Sequence, residues 1–149
     1  MRLISHRGNI NGKNLERENS FPYIQEALQL GYEVEIDIWV INNEVYLGHD
    51  EPQYKLTGLD LIDFQLYNSY YWCHAKNTEA LLWLQSNRFT NYFWHNIDDY
   101  TLTSSGYVWV YPNKRLIDNS ICVLPELHNQ EIPSFLYGIC SDYIERYKK

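Results

Sequence analysis

The sequence is short of positive charge: 12 Lys and Arg stand against 19 Asp and Glu, a net charge of −7 over 149 residues. A duplex nucleic-acid reader presents a basic face, so that class is disfavoured, and a polybasic membrane anchor is disfavoured for the same reason. No run approaches the roughly 18 apolar residues of a membrane-spanning helix, so no stable membrane insertion is expected. The opening residues, MRLISHRGN, lack the apolar core of a signal peptide. Cysteine is sparse as well. Cys73, Cys122 and Cys140 form an odd set without metal-type spacing, which fits buried thiols of a cytoplasmic protein. There is no Pro/Gly/Ser linker, no repeat and no low-complexity run, so residues 1–149 read as one domain. What the chain has in excess is aromatic: 14 Tyr and five Trp. Such side chains fill a small core or line a surface that binds a sugar or another ligand.

Residues 2–7 form a short apolar run ended by Gly8, a first strand. After a polar loop, Ser20 caps a helix with Pro22 in its first turn. Ile24, Ala27 and Leu28 share one face, and Gly31 closes it. Residues 32–41 alternate with period two, with Val34, Ile36 and Ile38 on one face and Glu33, Glu35 and Asp37 on the other. Asn42-Asn43 supplies a two-residue hairpin turn, so 44–50 returns antiparallel, with paired residue numbers summing to 85. Further strands are expected at 70–76, 92–95, 107–111, 120–124 and 137–142, and a helix at 78–86 capped by Asn77 or Thr78. Segments 51–69 and 127–136 show no clear pattern. Alternating strands and helices argue for a parallel α/β sheet, and many short strands argue for closure. A full eight-fold barrel takes about 250 residues. The expectation is therefore a minimal TIM-type (β/α) barrel with several outer helices reduced or missing, plus a β-hairpin after its second strand.

In such a barrel the C-terminal strand ends meet at one rim, where active sites are built. Those ends carry His6-Arg7, Glu35 and Asp37, His74 with Lys76, His95, and a strand running into Glu126. Glu35 and Asp37 lie two apart on one strand, so both carboxylates point the same way. Directed inward, they repel each other unless a cation sits between them, and hard oxygen ligands suit Mg²⁺ or Ca²⁺. A solvent-facing acidic strand is the alternative. The hairpin register sets His49 opposite Ile36, near both carboxylates. Strict alternation puts Asp50 on their face, and a departure at Gly48 puts His49 there instead. Arg7 and Lys76 offer fixed positive charge for phosphate oxygens, and His6 and His49 can move protons near neutral pH. A divalent cation, two anion-binding cations and two histidines fit phosphodiester cleavage.

The ordered pattern His6-Arg7-Gly8, Glu18-Asn19-Ser20, Glu35-Ile36-Asp37 and His49-Asp50 resembles the glycerophosphodiester phosphodiesterase family, whose signature is HR, EN, ExD and HD in this order. The match covers residues 2–50 closely. Lys76 is similar to the family's lysine two residues after a metal-binding glutamate, a position that here holds His74. Residues 138–142, GICSD, are similar to its last barrel strand. The resemblance implies a TIM-type barrel, a divalent metal on Glu35 and Asp37, His6 and His49 as general acid and base, and Arg7 and Lys76 on the phosphate. Glu18 would orient Arg7 or join the metal shell, with Asn19 and Asp50 in support. The third metal ligand would be His74 or Glu126. Imidazole shifts the choice of ion from Mg²⁺ or Ca²⁺ toward Mn²⁺ or Zn²⁺.

The function expected from this resemblance is hydrolysis of a small glycerophosphodiester to glycerol 3-phosphate and an alcohol. One rival is a non-catalytic protein that binds a phosphorylated sugar or lipid head group. Another is a phospholipase with an apolar lip formed by Phe89, Tyr92 or Trp94. His95 is a further rim residue, and His128 is given no role.

Overall fold

The structure, a computed structural model, describes residues 1–148. Its frame is set by β2 (Glu33–Ile41), which pairs in parallel with β1 (Arg2–His6) and with β5 (Tyr71–Ala75). The distal half of β2 pairs antiparallel with β3 (Glu44–Leu47). The register Ile38 to Leu47, Val40 to Val45 is the one the Asn42-Asn43 turn dictates, with both asparagines at the positive φ that a tight hairpin needs. The short β4 (Tyr54–Lys55) extends that edge. Beyond β5 lies the parallel β6 (Asn91–Trp94). On the other flank β1 pairs with β10 (Gly138–Ser141), then come β9 (Ser120–Val123) and β8 (Val108–Val110), all parallel. Last comes β7 (Tyr100–Leu102), antiparallel to β8.

Among the described residues the chain thus has one mixed sheet of ten strands and three α-helices: α1 (Phe21–Gln29), α2 (Gly58–Leu66) and α3 (Thr78–Ser86). This corrects the expected TIM-type barrel. The sheet curls into a half-barrel, and its architecture is sheet-dominated. The parallel crossovers from β8 to β9 and from β9 to β10 contain no α-helix; a 3₁₀ turn at Pro125–Leu127 serves the second. Nor does a ladder join β6 to β7. They meet through single hydrogen bonds, Ser104 N–H to Tyr92 O at 2.8 Å and Thr101 Oγ1 to Trp94 O at 2.7 Å. The strand alternation carried no information about the reversed direction of β7, which a tight turn imposes through Thr103 N–H to Tyr107 O and Gly106 at φ +87°.

The expected α1 and α3 form where their caps placed them. Asn77, not Thr78, caps α3: its side chain accepts from Ala80 N–H at 3.0 Å and also donates to Val40 O at 2.8 Å, tying the helix to β2. Helix α2 occupies the segment without pattern, because only Phe64 of its residues is buried. The outer face of β2 is apolar. Val34, Ile36 and Ile38 are fully buried with Ile24, Ala27, Phe64 and Leu84 of the three helices, a contribution of about 1.5–3 kcal/mol for each large side chain. The inner face packs Trp72, Phe93 and Trp109 with Ile4, Ile121 and Cys140. That apolar plug fills the lower part of the curl and leaves its upper end, at the C-terminal strand ends, to polar groups. No helix among the described residues is long and apolar enough to cross a membrane.

Candidate functional site

The site begins with the inner face of β2. Glu35 and Asp37 point inward as the alternation requires, 3% and 0% exposed. Taking two carboxylates out of water costs several kcal/mol each, so the surroundings must compensate. For Asp37 they do. Asn19 grips it twice, donating from Nδ2 to Oδ2 and accepting the Asp37 backbone N–H on Oδ1, both at 3.0 Å. Arg7 Nε lies 2.9 Å from Oδ2, an ion pair off the line of a good hydrogen bond, and Lys76 Nζ lies 3.6 Å from Oδ1. Burial opposes ionisation of Asp37, but His74, Arg7 and Lys76 win and hold its pKa far below the ordinary carboxylate range. Glu35 goes the other way, pushed up by burial and by the Asp37 charge.

Glu35 Oε2 and Asp37 Oδ1 are buried and have no hydrogen-bond partner. His74 completes the set: Glu35, Asp37 and His74 each offer a ligand atom, all within 4.8 Å of one another, the one such group among the described residues. The tautomer of His74 is informative. Its Nε2 lies 2.8 Å from His95 O, and a carbonyl only accepts, so Nε2 carries the proton. In the neutral ring Nδ1 then presents a lone pair to Asp37 Oδ1 at 3.1 Å. Two acceptors then face each other, and the contact is relieved either by a second ring proton on Nδ1 donated to Asp37, the pairing that lowers the Asp37 pKa, or by a cation between the two. Metal-ligating histidines characteristically donate their other N–H to a carbonyl. Two orphan carboxylate oxygens and a correctly turned imidazole fit one divalent cation. The nitrogen donor widens the choice beyond Mg²⁺ and Ca²⁺ to Mn²⁺ and Zn²⁺.

His6 ends β1 beside this group. Its Nδ1–H donates to Asp142 Oδ1 at 2.6 Å, and its Nε2 lies 3.7 Å from Glu35 Oε2. Burial disfavours the charged ring, but the Asp142 hydrogen bond and Glu35 outweigh it, so the pKa of His6 lies above its ordinary value. Asp142, also opposed by burial, is lowered by the same bond. Asn9 steadies both sides, donating from Nδ2 to Asp142 Oδ1 and to Glu18 Oε1, each at 2.8 Å. Glu18 Oε2 lies 3.4 Å from Arg7 Nη1. Glu18 therefore orients Arg7 and lies outside the metal group. Arg7, Asn19 and Leu124 all hold a positive φ that side chains rarely adopt, and Arg7 and Leu124 line the cleft over the site. Backbone strain of this kind gathers at functional sites.

The Gly48 departure resolves where His49 points. The ladder ends at Leu47, Gly48 N–H bonds Asp37 O at 3.1 Å, and a side chain at Gly48 would stand 2.1 Å from Glu51 O. The chain breaks its alternation there, so His49 lines the cleft and the largely exposed Asp50 accepts from His49 Nδ1 at 2.7 Å. Burial and the Arg7 charge lower the His49 pKa.

Glu126 is not brought into the metal group. Its Oε1 accepts the Asp142 backbone N–H at 2.8 Å, because the turn Pro125–Leu127 folds it back over the end of β10. The expected apolar lip is also absent as drawn: Phe89 is buried in the outer core, and the exposed Trp94 lies on the opposite face of β6 from Phe93 of the inner plug. His95 does reach the cleft, and His128 does not line it. Sequence reasoning missed Asp142 and Asn9. An acidic residue directly after the last strand was the available signal for Asp142; Asn9 left none.

Against protein-family models, curated proteins and solved structures, the chain finds no match.

Proposed function

We propose that the protein is a cytoplasmic, metal-dependent phosphodiester hydrolase, akin to glycerophosphodiester phosphodiesterases in its site, that cleaves a small glycerophosphodiester to glycerol 3-phosphate and an alcohol. The observation that carries this reading is the convergence of Glu35, Asp37 and His74 ligand atoms beside two carboxylate-held histidines and the two cations Arg7 and Lys76, both paired with Asp37. A divalent cation held by those three residues would supply positive charge to the phosphoryl oxygens.

The chain's own groups do the rest. Glu18 and Asp37 position the Arg7 guanidinium, whose fork matches phosphate oxygens, and Lys76 adds a point charge. Asp142 and Asp50 each occupy Nδ1 of a histidine, so Nε2 of His6 and of His49 is the atom left to exchange protons. Between them the two rings take a proton from an attacking water, whose oxygen bonds the phosphorus, and return one to the leaving alcohol as its own bond to phosphorus breaks. Three buried free thiols, Cys73, Cys122 and Cys140, support the proposed location, since they suit a reducing compartment.

The test is hydrolysis of a panel of glycerophosphodiesters with Mg²⁺, Ca²⁺, Mn²⁺ or Zn²⁺, then with chelator, alongside His6→Ala. The expected result is metal-dependent turnover that falls by about 10²–10⁴-fold in the variant. Absence of turnover with every ion, from folded protein that still binds metal, overturns the hydrolase reading in favour of a protein that binds a phosphorylated ligand.

A further inference from the structure

The space over the site consists of two clefts that meet. The larger, about 550 Å³, contains His6, Glu35 and His74 and runs out to Tyr111 and Leu127. The smaller, about 350 Å³, lies between the loop before α1 and the segment after β3. Arg7, Lys13 and His49 line both, so two cationic side chains, Arg7 and Lys13, stand at the junction, with Lys76 beside it in the larger cleft.

The two arms differ in chemistry. A row of rings leads through the larger one. Phe93 stacks on Trp109 with centroids 4.6 Å apart and on His74 at 5.2 Å. His74 meets His95 edge-on at 6.1 Å, and His95 stacks on Tyr111 at 5.5 Å. The row is held in place, because His95 Nε2–H donates to Asp98 O at 2.6 Å. At its open end Tyr111 is 49% exposed and Leu127 60%, apolar surface offered to the cleft. The smaller arm holds Glu18, Asn19, Asp50, Glu51 and Gln53, with Leu15 its lone apolar residue. Glu18 and Asn19 are already bonded within the site, so the exposed Asp50, Glu51 and Gln53 are the acceptors left for hydroxyls, and the carboxylates repel a second anion.

We propose that the junction takes the phosphate of one diester, the smaller arm takes its polyol, and the larger arm takes an apolar or planar second alcohol. The substrate class is then a glycerophosphodiester with a hydrophobic second alcohol, in preference to a diester of two small polar alcohols or to a polyphosphate. This rests on the phosphodiester reading above and assigns Tyr111 and Leu127 as specificity residues for its apolar side. Burying several methylenes along the ring wall favours a longer alkyl arm by about tenfold or more.

The test is calorimetric binding of glycerol methylphosphonate and glycerol hexylphosphonate, whose carbon–phosphorus bond is not hydrolysed, to the Mn²⁺-supplemented protein. The expected result is about tenfold tighter binding of the hexyl compound. A Tyr111→Ala, Leu127→Ala double variant should bring that affinity down toward the methyl value. Both side chains are exposed, and circular dichroism confirms that the variant is folded. Equal affinities in the native protein, or no binding of either compound, overturn the inference. A hexyl preference without turnover of any diester removes the hydrolase reading and keeps the two-armed cleft. Turnover without an alkyl preference keeps the hydrolase and removes the arms.

Discussion

The two halves of the sheet treat their outer faces differently. From β2 to β6 the outer face is backed by α1, α2 and α3, and Val34, Ile36, Tyr71 and Cys73 lie fully buried beneath them, whereas Leu3 of β1 packs on the 3₁₀ turn Ile144–Tyr147. From β7 to β10 the backing is loops and 3₁₀ turns, with a small cluster of Tyr32, Ile139 and Ile144. The charged groups follow that division. Glu35, Asp37, His49, His74 and Lys76 come from the helix-backed half, and His6 and Arg7 from the end of β1 at its border. The bare half contributes the steadying Asp142 and the ring wall at Trp109 and Tyr111. Buried charge is expensive and tolerates little movement, so it sits where a packed apolar layer holds the strand from behind.

The sharpest way to break this contrast is at its ionic centre. Asp37→Asn should abolish divalent-metal binding while the fold stays intact, because Asn keeps the size and the Asn19 contact but not the charge between His74 and Arg7. Calorimetry showing native metal affinity would remove Asp37 from the ligand set. Next comes the layer behind it. Phe64→Ala deletes a fully buried ring 4.8 Å from both Tyr71 and Phe89 and should cost about 3–5 kcal/mol in denaturant unfolding. A loss under 1 kcal/mol would mean that α2 does not support the site strands.

The bare half should respond more selectively. Asp142→Asn is expected to lower turnover by about 10²-fold, the low end of general acid–base effects, with near-native metal affinity. It should also change the pH dependence of stability in metal-free protein. The raised pKa of His6 contributes stability that is present below its unfolded value and lost as pH rises through its folded one. The lowered pKa of Asp142 contributes stability that is present above its unfolded value and lost as pH falls. The deficit of the variant should therefore be largest between about pH 4 and 6.5, and a deficit that does not vary with pH would argue against the ion pair. Smallest of all is Lys114→Ala. Its 2.8 Å pair with Asp99 is about half exposed, so the thermal unfolding midpoint should be nearly unchanged.

Much of the helix-backed half was legible in the residues themselves. The alternation of 32–41 assigned each side chain of β2 to a face, Asn42-Asn43 set the hairpin register, and Pro22, Gly31 and Asn77 bounded two helices. Helix α2 was not legible, since Leu59, Ile62 and Leu66 stay exposed while Phe64 is buried and Leu61 packs half-buried against the core, so its apolar residues report no single buried face. The gathering of His6, Glu35, Asp37 and His49 was readable from strand ends and motif order. The contact of His6 with Asp142 spans 136 positions and left no periodic trace.

The sequence by itself determined what depends on near neighbours along the chain: strand faces, caps, turns and the residue types able to hold a cation or a phosphate. Only the tertiary structure decided that the sheet curls without becoming a helix-clad barrel, that His74 and not Glu126 stands with Glu35 and Asp37, and that Asp142 holds His6. Local patterning records how a segment sits against an apolar layer. Direction of distant strands, and which of several carboxylates meets a given ring, are set by packing between segments far apart in the chain.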